Sequence, residues 1–339
     1  MAVSVNAELL ARLVRGEQLT RGEASEALAD VLRGDVDATL IASFLTALAQ
    51  RGETPEEMTG FIDAMVAAGE TFTVVSGAMD IVGTGGDRMH SVNVSTMTAL
   101  TIAGLGIPVA KHGNRAASSS VGTADVLEGL GVKIDVGGSV VAACVAEAGM
   151  GFCFAPRFHP GLRHLGPIRK ALAFPTAFNV LGPLANPAGV RRLLIGVANP
   201  AMMDRMAEVL RARNIERAAL IHSHDGLDEL SLGSPATLYS VVDGEVSTEV
   251  IDAGATLGVR HDAASIRGGD LATNVRAVEE YLAATPGPVF DVVTANAALA
   301  LQVAGRTSSL EEGFELARNS VRQGEAASVL DKLRTVSNR

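Results

Sequence analysis

The sequence predicts an α/β protein in two parts: a small N-terminal helical domain, then a larger α/β domain with a mostly parallel central sheet flanked by helices. Three observations predict it. The first 70 residues carry only helix-period apolar stripes separated by caps. After Gly69, short β-rich runs alternate with helical runs, the grammar of a parallel sheet covered on its faces. Glycine-bearing turns then fall where strand candidates end, which is where open α/β sheets bind ligands.

The elements follow in order. Asn6 can cap a helix ending near Gly16. Thr20 with Glu23 forms a capping-box pattern that opens a helix to about Arg33. Asp37 precedes Leu40, Ile41, Phe44, Leu45 and Leu48, an apolar stripe at helical spacing. Thr54-Pro55-Glu56-Glu57 supplies an N-cap, a first-turn proline and an N3 glutamate for a helix stopping near Gly69. These stripes read as core or dimer packing. Strand candidates are Met79–Val82, Ile107–Ala110, Val132–Val136, Gly151–Ala155, Leu193–Ala198 and Ala218–His222, with helices opening near Ser95, Ser119, Ser139 and Pro200. Thr237–Val242 and Glu245–Ile251 flank Asp243-Gly244, a hairpin signal. Residues 271 to 336 read as helical again. The Pro- and Gly-rich stretch from Ala173 to Gly189 reads as a structured loop or hinge. The domain boundary is placed at residue 70, with 1–70 joined to 71–339 through segments within about 165–190.

Composition narrows the function. Hydrophobic residues make up 47% and charged residues 19% of the 339, which supports a large core. The start has no basic, apolar secretory pattern, and Met97 to Ala110 is too short and too broken to span a membrane, so the expected location is the cytoplasm. Cys144 and Cys153 have no metal-binding spacing. A net charge of −10 and the absence of tryptophan argue against nucleic acid. Charge is nevertheless uneven. From Lys111 to Lys170 there are seven Lys/Arg and four Asp/Glu, which suits a small anionic ligand.

Three segments carry chemistry. Gly83-Thr84-Gly85-Gly86-Asp87 follows a strand candidate and can bring main-chain N–H groups close to an anion. It is neither a dinucleotide fingerprint, since Arg88 stands where glycine is needed, nor a P-loop. Ser91, Asn93, Ser95 and Thr96 place hydroxyl and amide groups where a helix begins, a phosphate-friendly end. Lys111-His112-Gly113-Asn114-Arg115, then Ser118-Ser119-Ser120, sit at the end of the next strand candidate. Asp225-Gly226-Leu227-Asp228-Glu229 follows the strand candidate ending at His222, and its carboxylates suit magnesium. His222 and His224 raise a transition-metal alternative, but no third nitrogen or sulfur ligand is local.

Together these segments resemble the anthranilate phosphoribosyltransferases of tryptophan biosynthesis, in the nucleoside phosphorylase-like phosphoribosyltransferase group. The stretches are GTGGD (83–87), NVST (93–96), KHGNRAASS (111–119), GTADVLEGLGV (122–132), FAPRFHP (154–160), GPIR (166–169), FNVLGPLANP (178–187) and DGLDEL (225–230), in the family's order. The resemblance implies 5-phosphoribosyl 1-pyrophosphate and anthranilate as substrates, Mg²⁺ as cofactor, and a homodimer built on the helical part. It implies that Gly83, Gly86, Asp87, Ser91, Asn93, Ser95, Thr96, Lys111 and Ser119 hold the donor. Gly83, His112, Asn114, His159, Arg169 and Gly182 would face anthranilate, and Ser95, Asp228 and Glu229 would arrange the metal. Arg169 suits a carboxylate because a guanidinium fork can grip both oxygens. No dedicated general base is expected, since an arylamine is already nucleophilic at neutral pH. Arg88 departs from the family's usual glycine. The competing readings are a pyrimidine-nucleoside phosphorylase, which shares the architecture, and a non-catalytic relative that binds nucleic acid.

Overall fold

The computed structural model describes residues 3–115 and 121–339. Four capped helices come first: Ala7–Val14, Arg21–Arg33, Ala38–Arg51 and Pro55–Ala67. The caps are those the sequence predicts. Asn6 and Asp37 accept main-chain N–H groups, and Thr20/Glu23 and Thr54/Glu57 close reciprocal capping boxes.

The strands are β1 (Met79–Gly83), β2 (Val109–Gly113), β3 (Met150–Phe154), β4 (Arg192–Gly196), β5 (Arg217–Ser223), β6 (Ala236–Val242) and β7 (Glu245–Ile251). Among the described residues they form one seven-stranded sheet, ordered β3-β2-β1-β4-β5-β6-β7. Strands β1 to β5 run parallel; β6 and β7 are antiparallel. Asp243 and Gly244 both take positive φ, 49° and 88°, as the tight hairpin between β6 and β7 requires.

Strand side chains alternate between two apolar cores. Leu194, Ala219 and Ile221 face helices Val94–Gly104, Pro288–Val303, Leu310–Arg322 and Glu325–Ser337. Leu193, Ile195, Ala218 and Leu220 face helix Met203–Ala212 and, in the same continuous cluster, the four N-terminal helices. The small helical domain is therefore packed on the apolar layer that covers one face of the sheet.

Two expectations need correction. Val132–Val136 is not a strand. Val132 and Ile134 are buried and alternate with exposed Lys133 and Asp135, which mimics one. The main chain there bonds instead to the preceding helix (Val132 N–H to Leu127 O, 2.9 Å) and to the last helix (Lys133 N–H to Ser337 Oγ, 3.2 Å). The second strand also starts later than Ile107. Pro108 has no N–H and gives only its carbonyl to Met79 N–H (3.0 Å), so β2 begins at Val109. Lys111 and His112 thus lie inside a strand rather than beyond its end.

Candidate active site

In this strand order the connections from β1 and β4 depart to opposite sides, which opens a crevice at the carboxyl ends of those two strands. Both strands end in glycine at the same register, Gly83 opposite Gly196. The acidic loop sits on that pair. A Cβ at Gly196 would lie 1.6 Å from the Asp228 carbonyl oxygen, and one at Gly83 would lie 2.7 Å from Asp228 Oδ2. Gly85 N–H then donates to Asp228 Oδ2 at 3.0 Å. The loop is braced from behind. Ser223 Oγ donates to Glu229 O (2.7 Å), and Asn296 exchanges hydrogen bonds with the main chain of Leu230 (2.9 and 3.0 Å). Asp225 serves the loop itself by accepting from Ser231 Oγ at 2.6 Å.

Lys111 closes the cluster from β2. Its ammonium is buried and donates to Ser95 Oγ (3.1 Å) and to the Ile81 carbonyl. Burial pulls its pKa down, against the attraction of Asp80 and Glu229. Asp228 is pushed up to about 7, by burial first and then by Asp87 close by. Glu229 is pushed well above the ordinary carboxylate range by burial and by Asp228, while Lys111 and the Ser95 N–H oppose the shift. The turns after β1 and β5 and the end of β2 therefore meet at one edge of the sheet. The Asp87 loop is pinned at its far end, where Ser91 bridges Arg267 and Gly268 N–H donates to His90 O (2.7 Å). Within it Arg88 takes φ +61°, a region in which glycine is at ease and arginine is strained.

This set fits magnesium. The available donors are the Ser95 hydroxyl and the Asp87, Asp228 and Glu229 carboxylates, all hard oxygen, and Asp87 Oδ2 is buried without a partner. Among the described residues, no group of three or more His, Cys, Asp or Glu could hold a metal alone, so substrate oxygens would have to complete the coordination. Each histidine that raised a transition-metal alternative spends one ring nitrogen on a neighbour. His222 Nδ1 meets Val197 O at 2.8 Å, and His224 Nε2 meets Thr237 Oγ1 at 2.9 Å.

A second wall lies beside this cluster. His112 is buried, with Nδ1 3.1 Å from Gly182 O, and burial together with His159 drives its pKa down to about 3. It is neutral near pH 7. The carbonyl requires Nδ1 to carry the proton, which leaves Nε2 as a buried lone pair without a partner. A Cβ at Gly182 would meet nothing within 4 Å, so this glycine borders open space. His159 packs edge-on to His112, centroids 5.3 Å apart, but its own nitrogens face Met65 O (3.3 Å) and Ala185 O (2.9 Å). It links the helical domain to the loop before β4. Arg169, on helix Gly166–Leu172, lies over the Phe178 ring at 5.9 Å and reaches Asn179 Oδ1 at 3.3 Å. Among the described residues, no carboxylate pairs with it.

The remaining candidates are placed less tellingly. Asn114 is exposed, and its Oδ1 accepts from Arg115 N–H at 2.7 Å. Asn93 caps helix Val94–Gly104 by position, with no side-chain cap bond, and its Oδ1 is buried and unpartnered. Thr96 is fully buried beneath the helix start. Gly86 is exposed at φ +88°. Ser119 lies outside the described residues. Sequence reasoning missed Gly196, Asp80 and Asn186. A charge at Asp80 inside a strand candidate was the available signal, as was Asn186 inside the quoted 178–187 stretch.

Comparison with known proteins decides the family. The helical bundle domain of the glycosyl transferase family matches residues 7–69, and the a/b domain of that family matches 76–327. An anthranilate phosphoribosyltransferase of Thermomicrobium roseum is 46% identical over 97% of this chain and 96% of its own length. The chain belongs to the anthranilate phosphoribosyltransferase family. A second family member, from Salinispora arenicola, is 45% identical over 96% of this chain and 94% of its own. The crystal structure of anthranilate phosphoribosyltransferase from Thermus thermophilus superposes with a TM-score of 0.92 at 36% identity, covering 97% of this chain and 99% of that one. The Saccharomyces cerevisiae member, solved in complex with PRPP and Mg, gives 0.89 at 26% identity, over 98% and 99% of the two chains.

Proposed function

We propose that this chain transfers the 5-phosphoribosyl group of 5-phosphoribosyl 1-pyrophosphate to the amine of anthranilate, giving N-(5-phosphoribosyl)anthranilate and pyrophosphate in tryptophan biosynthesis. The observation that carries this reading is the adjacency of two unlike half-sites. One is an oxygen-rich acidic cluster with a buried lysine; the other is a wall with an unpaired arginine and a neutral imidazole.

The donor side takes Gly83, Gly86 and Asp87, with Ser91, Asn93, Ser95 and Lys111. Thr96 and Ser119 belong to the same proposed set. Ser95, Asp228 and Glu229 would hold magnesium, which when bound supplies positive charge against the charge growing on pyrophosphate. Lys111, fixed by Ser95 Oγ and Ile81 O, adds its ammonium at the same edge. As the C1–O bond to pyrophosphate breaks, the ribose C1 gains oxocarbenium character. The anthranilate nitrogen lone pair forms the C1–N bond, and the amine proton passes to water. Arg169 grips the carboxylate, as its fork geometry allows. His112 Nε2 can accept an amine N–H, and a group with a pKa of about 3 orients that amine rather than deprotonating it. Orientation of this kind contributes roughly 7–11 kcal/mol at best. His159, Asn114, Gly83 and Gly182 complete the acceptor set. A pyrimidine-nucleoside phosphorylase would take free phosphate and a nucleobase, and would need no carboxylate anchor.

The fluorescence of anthranilate provides the test. Its decay should require both 5-phosphoribosyl 1-pyrophosphate and Mg²⁺. Turnover of thymidine with phosphate, and none of anthranilate, would replace this reading with the phosphorylase one. We further propose domains of 1–70 and 71–339, a homodimer through the helical domain, and a cytoplasmic location. Light scattering during gel filtration checks the dimer, where a monomer mass would refute it. No helix among the described residues is long and apolar enough to cross a membrane.

A further inference from the structure

The sheet opens between β1 and β2. The two strands pair only at Met79↔Val109, whereas β1 stays paired with β4 through Gly83, and β2 with β3 through Gly113. Side chains fill the gap. Lys111 occupies the Ile81 carbonyl from one strand, and Asp80 reaches back from the other. Asp80 is fully buried, and a buried carboxylate is costly unless its oxygens are satisfied. Oδ1 accepts from the His112 N–H (3.1 Å), and Oδ2 accepts from Asn186 Nδ2 (2.8 Å).

Asn186 uses the rest of its amide in the same junction. Nδ2 also donates to Ala110 O (2.8 Å), and Oδ1 accepts from Ala188 N–H (2.9 Å). The pair therefore joins β1, β2 and the segment 182–188. That segment presents Gly182 O to the ring of His112 and Ala185 O to the ring of His159.

We infer that Asp80 and Asn186 are a positioning pair for the acceptor wall: through His112 and the Gly182 turn they set where the arylamine stands relative to the donor. This rests on the proposed function and deepens it. Both side chains are buried, and Asp80 also attracts Lys111 of the donor side, so the selective effect is expected of Asn186. Asn186 makes no contact with Ser95, Lys111 or the acidic loop, and its loss should leave the donor side alone.

The full-length enzyme tests it, with each substrate varied in turn. Wild-type turnover comes first. If wild type shows no anthranilate consumption dependent on 5-phosphoribosyl 1-pyrophosphate, the proposed function itself fails; the variants speak to the pair alone. Asn186→Ala should raise KM for anthranilate about tenfold or more, with donor KM and the Mg²⁺ half-saturation within about twofold of wild type. Equal shifts in both KM values, or no shift in either, would overturn the inference whatever the melting temperature. Should Asn186→Ala not fold, Asn186→Ser, read by the same split, decides it.

Discussion

Glu57 in the helical domain and Asp228 at the sheet edge are both buried carboxylates, and their surroundings differ sharply. Glu57 takes N–H groups from Leu19 (2.8 Å) and Thr54 (2.8 Å), and the Arg51 guanidinium lies within 2.6 Å of both its oxygens. Asp228 takes one N–H, from Gly85, and stands beside two further carboxylates, Asp87 and Glu229. Asp87 Oδ2 and His112 Nε2, in the same region, are buried with no partner at all. Around Glu57 the helical domain pairs its buried carboxylate oxygens, with Arg51 Nε left over. The sheet edge leaves such groups unsatisfied, which is how a fold holds places for charges that come from outside.

That contrast can be broken at either end. The largest effect belongs to Glu229→Gln. Turnover should fall about a thousandfold, or about 4 kcal/mol in the barrier, because a preorganised electrostatic contact is lost. The metal-free protein should melt no lower than wild type, since a repelled carboxylate has been neutralised; steady-state kinetics and a thermal melt read both. An unchanged rate at limiting Mg²⁺ would remove Glu229 from the metal set. Glu57→Gln should do the reverse. It leaves Arg51 uncompensated and should cost about 3 kcal/mol of stability, seen in a urea titration, with kcat per folded molecule unchanged. A stable Glu57→Gln variant with lost activity would erase the distinction between the two regions.

Arg169→Ala should cost about 1.5–3 kcal/mol in anthranilate binding, roughly tenfold to a hundredfold in KM, as expected for one charge-assisted contact. Loss of donor affinity alone would contradict its place on the acceptor wall. The smallest effect is in pH. Asp80 is pushed up to about 6, by burial against the pull of Lys111 and the bonds from Asn186 and His112. The folded state therefore holds this proton longer than the unfolded chain, whose value is near 4. Stability from this group is highest below about pH 4, is lost as pH rises to about 6, and is level above. The melting-temperature difference between wild type and Asp80→Asn, scanned across pH, should fall over that window. A flat difference would refute the assignment.

The same contrast explains what the sequence made legible. The N-terminal helices announce their limits through neighbours three or four residues apart, such as Thr20 with Glu23 and Thr54 with Glu57. The site's backbone was readable where glycines and acids cluster locally, at 83–87 and 225–230. Long-range partners were not. Val132–Val136 alternates like a strand, but its main chain bonds to Leu127 O in the preceding helix and to Ser337, 204 residues on from Lys133. Asp80 meets Asn186, 106 residues on, and nothing near either position announces the other. Gly196 looks like any strand-end glycine until the Asp228 carbonyl is seen lying where a methyl group would go.

That last contact limits how this protein can vary. The acidic loop lies nearer the floor of the crevice than any side chain permits, so the Gly196 codon has no graded neighbours to step through. Alanine, the smallest possible change, already places its methyl carbon inside another atom. A saturation library at this codon, selected for growth without tryptophan, should return glycine alone, whereas codon 22, on the second helix and facing open room, should return several residues.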